Sequence, residues 1–168
     1  MTPILQPNEV GLLSRPISKH IDNDKLAACI DEVERLEVKP MIGYTLIKEL
    51  KYHPENHVIL LKGGEYETLD GEVSDIAGLK KAIAYYVYAR LLTMVDHNVT
   101  RYGLVNKEND DSNRVSWAEK NKEIQNAIET ANCYMKEIVE YMRNYPDKYS
   151  AFKVRKHPQV KKYKIIGE

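Results

Sequence analysis

Apolar positions recur at helical spacing in four stretches of this chain and lose their period between them. After Asp22-Asn23-Asp24, whose short side chains suit the free amides of a first turn, Leu26, Cys29, Ile30, Val33 and Leu36 repeat at helical spacing. That spacing predicts a helix over 23–38 with one apolar stripe. Pro40 is expected to end it, because the residue before a proline is pushed out of the α region, and then to open a second helix at its first position. Met41, Ile42, Leu46, Ile47 and Leu50 give the second helix its apolar face until His53-Pro54. Gly43 inside it suggests a close backbone approach. A short aliphatic patch, Val58 to Leu61, leads to Gly63-Gly64 and Asp70-Gly71, so 62–74 reads as a loop or small hairpin. Residues 82–89 carry no charge and are apolar around the whole circumference, which predicts a third helix over about 75–97, buried on all sides and about 35 Å long. A fourth helix starts near Ser112 or Ser116 and runs to about Tyr145. Trp117, Ile124, Ile128, Ala131, Met135, Ile138 and Met142 form its heptad-like seam, with Asn121 as the polar member. Ala127, Tyr134 and Tyr141 widen that face. At about 45 Å it outreaches the third helix, so part of its face should be exposed in a lone subunit.

The expected architecture is all-α: a bundle of about four helices, with a long central and a long C-terminal member. Pro3, Pro7 and Pro16 with scattered aliphatics make 1–20 an extended arm, 21–145 the helical body, and 146–168 a second arm too poor in apolar residues for a core. Between Asn98 and Ser112 no period survives, and a loop of about 14 residues is longer than most connections in a compact domain. The chain's 168 residues suit one domain that needs no metal or disulfide scaffold.

Charge alters this picture only locally. Twenty-five basic residues balance 25 acidic ones. The tail 146–168, however, holds seven basic residues (Lys148, Lys153, Arg155, Lys156, Lys161, Lys162 and Lys164) against Asp147 and Glu168. The rest of the chain is correspondingly acidic, and 62–75 shows it with Glu65, Glu67, Asp70, Glu72 and Asp75 against Lys62. Twelve tyrosines stand against one Phe and one Trp, and a ring with a polar tip suits surfaces that a partner later covers. Cys29 and Cys133 are far apart and fit a reducing compartment and buried structural roles. The start of the chain lacks a charged-then-apolar segment, and no apolar run is long enough to span a membrane, so synthesis in the cytoplasm is expected.

Catalytic chemistry finds no constellation. His53-Pro54-Glu55-Asn56-His57 spaces two imidazoles four apart, but Pro54 breaks the helix and no third ligand stands near, so a surface helix terminus is expected there rather than zinc. Lys62-Gly63-Gly64 lacks the phosphate-loop pattern and a preceding strand. No serine sits in GxSxG and neither cysteine has a matching His pattern, so no cofactor and no enzyme activity is expected. The basic tail, with Tyr149, Phe152 and Tyr163 among its charges, has three readings. Docking on an acidic neighbouring subunit is favoured; phosphate neutralisation and plain solvation are the others.

The segments Leu60-Leu61-Lys62-Gly63-Gly64-Glu65-Tyr66, Gly78-Leu79-Lys80-Lys81-Ala82-Ile83-Ala84-Tyr85-Tyr86-Val87-Tyr88-Ala89-Arg90 and Val99-Thr100-Arg101-Tyr102-Gly103-Leu104-Val105-Asn106-Lys107 resemble a family of phage and prophage proteins found around gut Bacteroidales. That family includes ring proteins of crAss-like phages, and the helix order over 22–145 is similar to head-completion adaptors that form a twelve-subunit ring beneath the portal. The resemblance implies a head–tail connector in the virion neck. Its partners would be copies of itself, the portal, and tail or further neck proteins, with non-specific contact to packaged DNA and none to membrane. It makes the arms and the 98–112 loop the contact elements, with the 62–74 loop a further candidate facing the channel or the next ring: Thr100, Arg101, Tyr102, Leu104, Val105, Asn106 and Lys107, and Tyr149, Phe152, Lys153, Arg155, Lys156, Lys161, Lys162, Tyr163 and Lys164. A small helical DNA-binding protein using the basic tail is the alternative.

Overall fold

A computed structural model describes residues 2–18, 20–94, 97–100, 103–106 and 116–149. Its axis is helix α6 (Leu79–Met94), the segment that is apolar all round; Leu79, Ala82, Ile83, Ala84, Tyr86, Val87, Ala89 and Leu91 are all buried. Helix α7 (Trp117–Asn144) packs along it. Ala77 N–H donates to Glu137 (3.1 Å) near one end, Tyr86 hydroxyl to Asn132 (2.6 Å) midway and Tyr88 hydroxyl to Glu123 (3.4 Å) beyond, so the two run antiparallel. Helix α6 is shorter than the predicted 75–97 because residues 73–76 pair as a strand and Gly78, at φ 89°, turns the chain before the helix can begin.

The first predicted helix does not stop at Pro40. Helix α2 (Asn23–Val33), opened by the Asp22 side chain, runs into a π turn (Glu34–Val38) and on into α3 (Lys39–Ile42). The wider turn shifts the hydrogen-bond ladder, with Lys39 N–H donating to Glu34 carbonyl, and Pro40 then falls in a first turn, where its missing N–H costs little. The real break is Gly43, at φ 84°, before α4 (Tyr44–Tyr52). A side chain at Gly43 would meet nothing within 4 Å, so the glycine serves the left-handed conformation and not a close approach. A 3-10 turn over Pro54–His57 and helix α5 (Val58–Lys62) follow.

Strands β1 (Gly64–Glu67) and β2 (Val73–Ile76) form an antiparallel hairpin, with Glu65 opposite Asp75 and Glu67 opposite Val73. A second hairpin pairs β3 (His97–Thr100) with β4 (Gly103–Asn106), where a patternless loop was expected. Over the described residues the protein is therefore mostly helical with two small two-stranded sheets, and not purely all-α. Strands of four residues are too short to leave a legible alternation in the sequence.

The arms also differ from expectation. The N-terminal residues turn through Pro7–Glu9 into α1 (Val10–Leu13), which lies on α6, and Ile4, Leu5 and Val10 are buried in the main core. Pro7 fits the first position of that turn, and Gln6 and Glu9 cap each other, so the prolines punctuate a packed segment. At the other end Pro146–Tyr149 forms a last helical turn, α8, and Tyr149 is buried in the core. The boundary at 146 thus cuts through the packed body.

Candidate interaction surfaces

Helix α7 begins at a full capping box, in which Ser116 Oγ accepts from Glu119 N–H and Glu119 carboxylate accepts from Ser116 N–H. Its seam is largely the predicted one: Ile124, Ala131, Met135, Ile138 and Met142 are buried, joined by Ala127 and Tyr141. The first two turns are different. Trp117 is 64% exposed and Asn121 is exposed, with Lys120 Nζ 5.9 Å from the indole centroid. The 28 residues of α7 against 16 in α6 leave a difference of about 18 Å at 1.5 Å per residue. The partner helix ends at Met94, itself half exposed. Glu123 closes the covered part, taking an ion pair from Arg15 in the N-terminal segment.

Of the expected contact residues, Thr100 ends β3 opposite Gly103, while Leu104, Val105 and Asn106 lie on β4 opposite Val99, Asn98 and His97. Arg101, Tyr102, Lys107, Phe152, Lys153, Arg155, Lys156, Lys161, Lys162, Tyr163 and Lys164 lie outside the described residues. Tyr149 is corrected. Its ring is 3% exposed and sits 5.9 Å from Tyr141 and 5.7 Å from His57, and its hydroxyl lies 3.1 Å from His57 Nδ1. It anchors the root of the tail and offers no free surface.

His57 was expected at a surface helix end, but it is buried. Burial, and next the Lys148 ammonium, hold its imidazole below the ordinary histidine range. His53 stays exposed beside Glu55, 3.5 Å away. Lys148 also donates to Asn56 carbonyl, so two adjacent tail-root residues grip the 54–57 turn. Tyr66, Tyr141 and Tyr145 complete the cluster: Tyr66 meets Tyr141 edge-on at 5.0 Å, and Tyr145 hydroxyl donates to Glu67 carbonyl (3.1 Å). The tail root therefore stands against the base of the β1–β2 hairpin.

That hairpin presents two unlike faces. Tyr66 and Ile76 turn inward, while Glu65, Glu67, Val73 and Asp75 are exposed on the outer face. At the turn Leu69 is 70% exposed, between Thr68 and Asp70. The hairpin is rooted by two glycines. A side chain at Gly78 would stand 2.4 Å from Gly63 N, and one at Gly63 would stand 2.6 Å from Ile76 carbonyl.

Sequence reasoning missed the polar centre at the π turn. Glu34 is buried, accepts from Ile4 N–H (2.6 Å) and pairs with Lys51 Nζ, so one carboxylate ties the N-terminal segment, the π turn and α4 together. No periodicity signals such a contact, since Glu34 reads as the polar neighbour of an apolar stripe. Beside it a groove of about 220 Å³ runs between α6, α7 and the π turn. Arg90 lines it and is held by Glu32 (3.1 Å) and Glu37 (3.2 Å). Tyr86 lines it too; burial, then the Glu37 charge, push its phenol well up, so it serves as a hydroxyl donor and not as an acid. The two cysteines part company: Cys29 is buried against Met94 (3.5 Å) with its thiol pushed up by burial, whereas Cys133 is exposed, against expectation. Among the described residues no three His, Cys, Asp or Glu side chains are placed to hold a metal, and no helix is long and apolar enough to cross a membrane.

Residues 38–161 match the family described as "family of unknown function (DUF6712)". The chain belongs to DUF6712. The matched stretch runs from the end of the π turn through both hairpins, α6 and α7 into the basic tail. No curated protein and no solved structure matches the chain.

Proposed function

We propose that this DUF6712 protein is a structural subunit of a phage particle, a connector that forms a ring at the portal and joins the capsid to the tail. The observation that carries the reading is the uncovered N-terminal end of α7, where Trp117 stands exposed beyond the end of α6. A lone large indole at the end of a long helix is the kind of anchor that interfaces bury. Side-by-side packing of helical bodies in a ring would cover it. The resemblance of residues 60–107 to phage ring proteins gives the partner class: further copies, the portal and the next neck or tail component. In that reading Leu104, Val105 and Asn106 on β4, Thr100 on β3, and tail residues from Phe152 to Lys164 reach neighbours, and the protein does no chemistry.

The test is mass measurement of the full chain alone and mixed with the portal protein of the same phage or prophage. A stoichiometric ring on the portal is expected. A chain that stays monomeric and never joins the portal overturns the reading. The basic tail favours a second reading, a DNA-binding protein. There, affinity for duplex DNA would fall steeply with salt and be lost with tail charge removal, because each phosphate contact releases counterions.

A further inference from the structure

We infer that the outer face of the β1–β2 hairpin is a docking surface for the C-terminal segment of the same chain, residues 150–168. The face is built against itself. Glu65 and Asp75 are direct cross-strand partners, both exposed on the same side, and like charges placed directly opposite repel. Glu67, Asp70 and Glu72 add to them, and the whole stretch from Gly64 to Ile76 contains no basic residue. Among the described residues none of these five carboxylates has an ion-pair partner. Two large apolar side chains lie among them with little cover, Leu69 at 70% and Val73 at 74% exposure. The surface therefore asks for a strand or loop that is cationic and carries apolar residues at intervals.

The segment beyond Tyr149 has that composition. Lys153, Arg155, Lys156, Lys161, Lys162 and Lys164 alternate with Phe152, Val154, Val160, Tyr163, Ile165 and Ile166. Its root is in the right place. Tyr149 packs on Tyr141, Tyr141 on Tyr66 of β1, and Tyr145 bonds Glu67. Nineteen residues follow Tyr149, a reach of roughly 60 Å when extended, far more than a four-residue strand requires. Tethering at such short range gives an effective concentration of order millimolar, which a modest contact exploits. Occupancy removes the Glu65–Asp75 repulsion by placing cations over the pair and covers Leu69 and Val73. The inference stands apart from the ring reading, because the contact exists in a free subunit. In an assembly the neighbouring hairpin offers the same surface, so exchange between copies would replace one contact with an equal one.

The test uses the full chain at low micromolar concentration, as an equal mixture of ordinary and nitrogen-15-labelled protein. Zero-length carbodiimide coupling at low salt joins carboxylates to touching lysines, and peptide mass mapping identifies the links. Amide links from Glu65, Glu67, Asp70, Glu72 or Asp75 to tail lysines, within one isotopic form, are expected. They should fall at least tenfold in about 0.5 M sodium chloride, where screening shortens to a few ångströms. The variant E65K/D75K, with its circular dichroism unchanged, should lose the links and become more sensitive to trypsin at Lys153 to Lys164. Links from the tail to acidic residues elsewhere, no links at all, or links only between isotopic forms would each overturn the inference. A ring on the portal with none of these links sinks this inference alone; links without a ring sink the ring reading alone.

Discussion

Among the described residues Lys51 is the only basic group that reaches Glu34, and both side chains are almost wholly removed from water. Removing one member of a buried pair leaves the other charge uncompensated, so Lys51→Met should cost on the order of 3–5 kcal/mol in chemical denaturation. The double variant E34Q/K51M should recover part of that loss, because no net charge then remains buried; equal losses in single and double variants would refute the coupling. His57 gives a second residue-scale expectation. Its folded pKa lies below the ordinary 6.5, so the unfolded chain takes up the proton first. Stability is full above that range and falls as pH drops through it, levelling once the folded state also binds the proton. A separate loss follows at lower pH from Glu9. Burial alone would raise its carboxyl, but the Lys80 ammonium and the Gln6 N–H hold it below 4.5. Thermal melts from pH 8 to about 2 should show both phases, and His57→Gln should remove only the first. The tyrosines divide at this scale as composition alone could not divide them. Tyr66, Tyr86, Tyr141 and Tyr149 are core residues, while Tyr44 and Tyr52 are exposed.

Glycine positions separate two kinds of element boundary. Gly63 and Gly78 bring the ends of the β1–β2 hairpin into backbone contact, and each also has positive φ. Gly78→Ala should therefore cost on the order of 2–3 kcal/mol or more, since neither strain nor clash can relax cheaply. Gly43→Ala meets open space and bears only the strain of a backbone conformation nearly reserved for glycine, on the order of 1–3 kcal/mol, without the added clash at Gly78. Melting temperatures of the two variants should rank accordingly; equal shifts would mean that the hairpin root yields. The sequence foretold the break at Gly63-Gly64, because paired glycines mark turns locally, but it placed Gly43 and Gly78 inside helices. It could not foretell that Pro40 would be carried within a continuous helical path. That depends on the π turn, and the π turn points Glu34 at Lys51 and Ile4, partners distant along the chain.

At the scale of the molecule, the proposed assembly surface is the N-terminal end of α7, where Trp117 is exposed. Trp117 is the single tryptophan, so the protein's intrinsic emission reports on that surface alone. The free chain should emit as a water-exposed indole and shift to shorter wavelength as copies or a portal partner cover it. Trp117→Ser should leave the melting temperature within about a degree, because surface changes away from packed features cost little. The same substitution should weaken assembly at least tenfold. Unchanged assembly in that variant would remove the N-terminal end of α7 from the interface. The candidate contact residues were less legible than the core. Leu104, Val105 and Asn106 lie on a strand where a loop was expected, and Tyr149 belongs to the interior.

By itself the sequence determined the mostly helical class, the apolar axis 82–89, most of the seam of α7 and its excess length over α6. Each depends on side chains a few residues apart along the chain, where a period of 3.6 and the backbone limits of glycine and proline suffice. Only the tertiary structure decided that Ile4, Leu5 and Val10 join the core, that Tyr149 closes on His57, and that Glu34 is buried with Lys51. Those outcomes set the cost of ordering a segment against apolar area and hydrogen bonds supplied from 30 or 92 residues away, a balance that no local pattern records. The overhang of the fourth helix was legible in the sequence, but the exposure of Trp117, a member of its expected seam, was not. What the structure added is that the acidic hairpin and the root of the basic tail lie side by side.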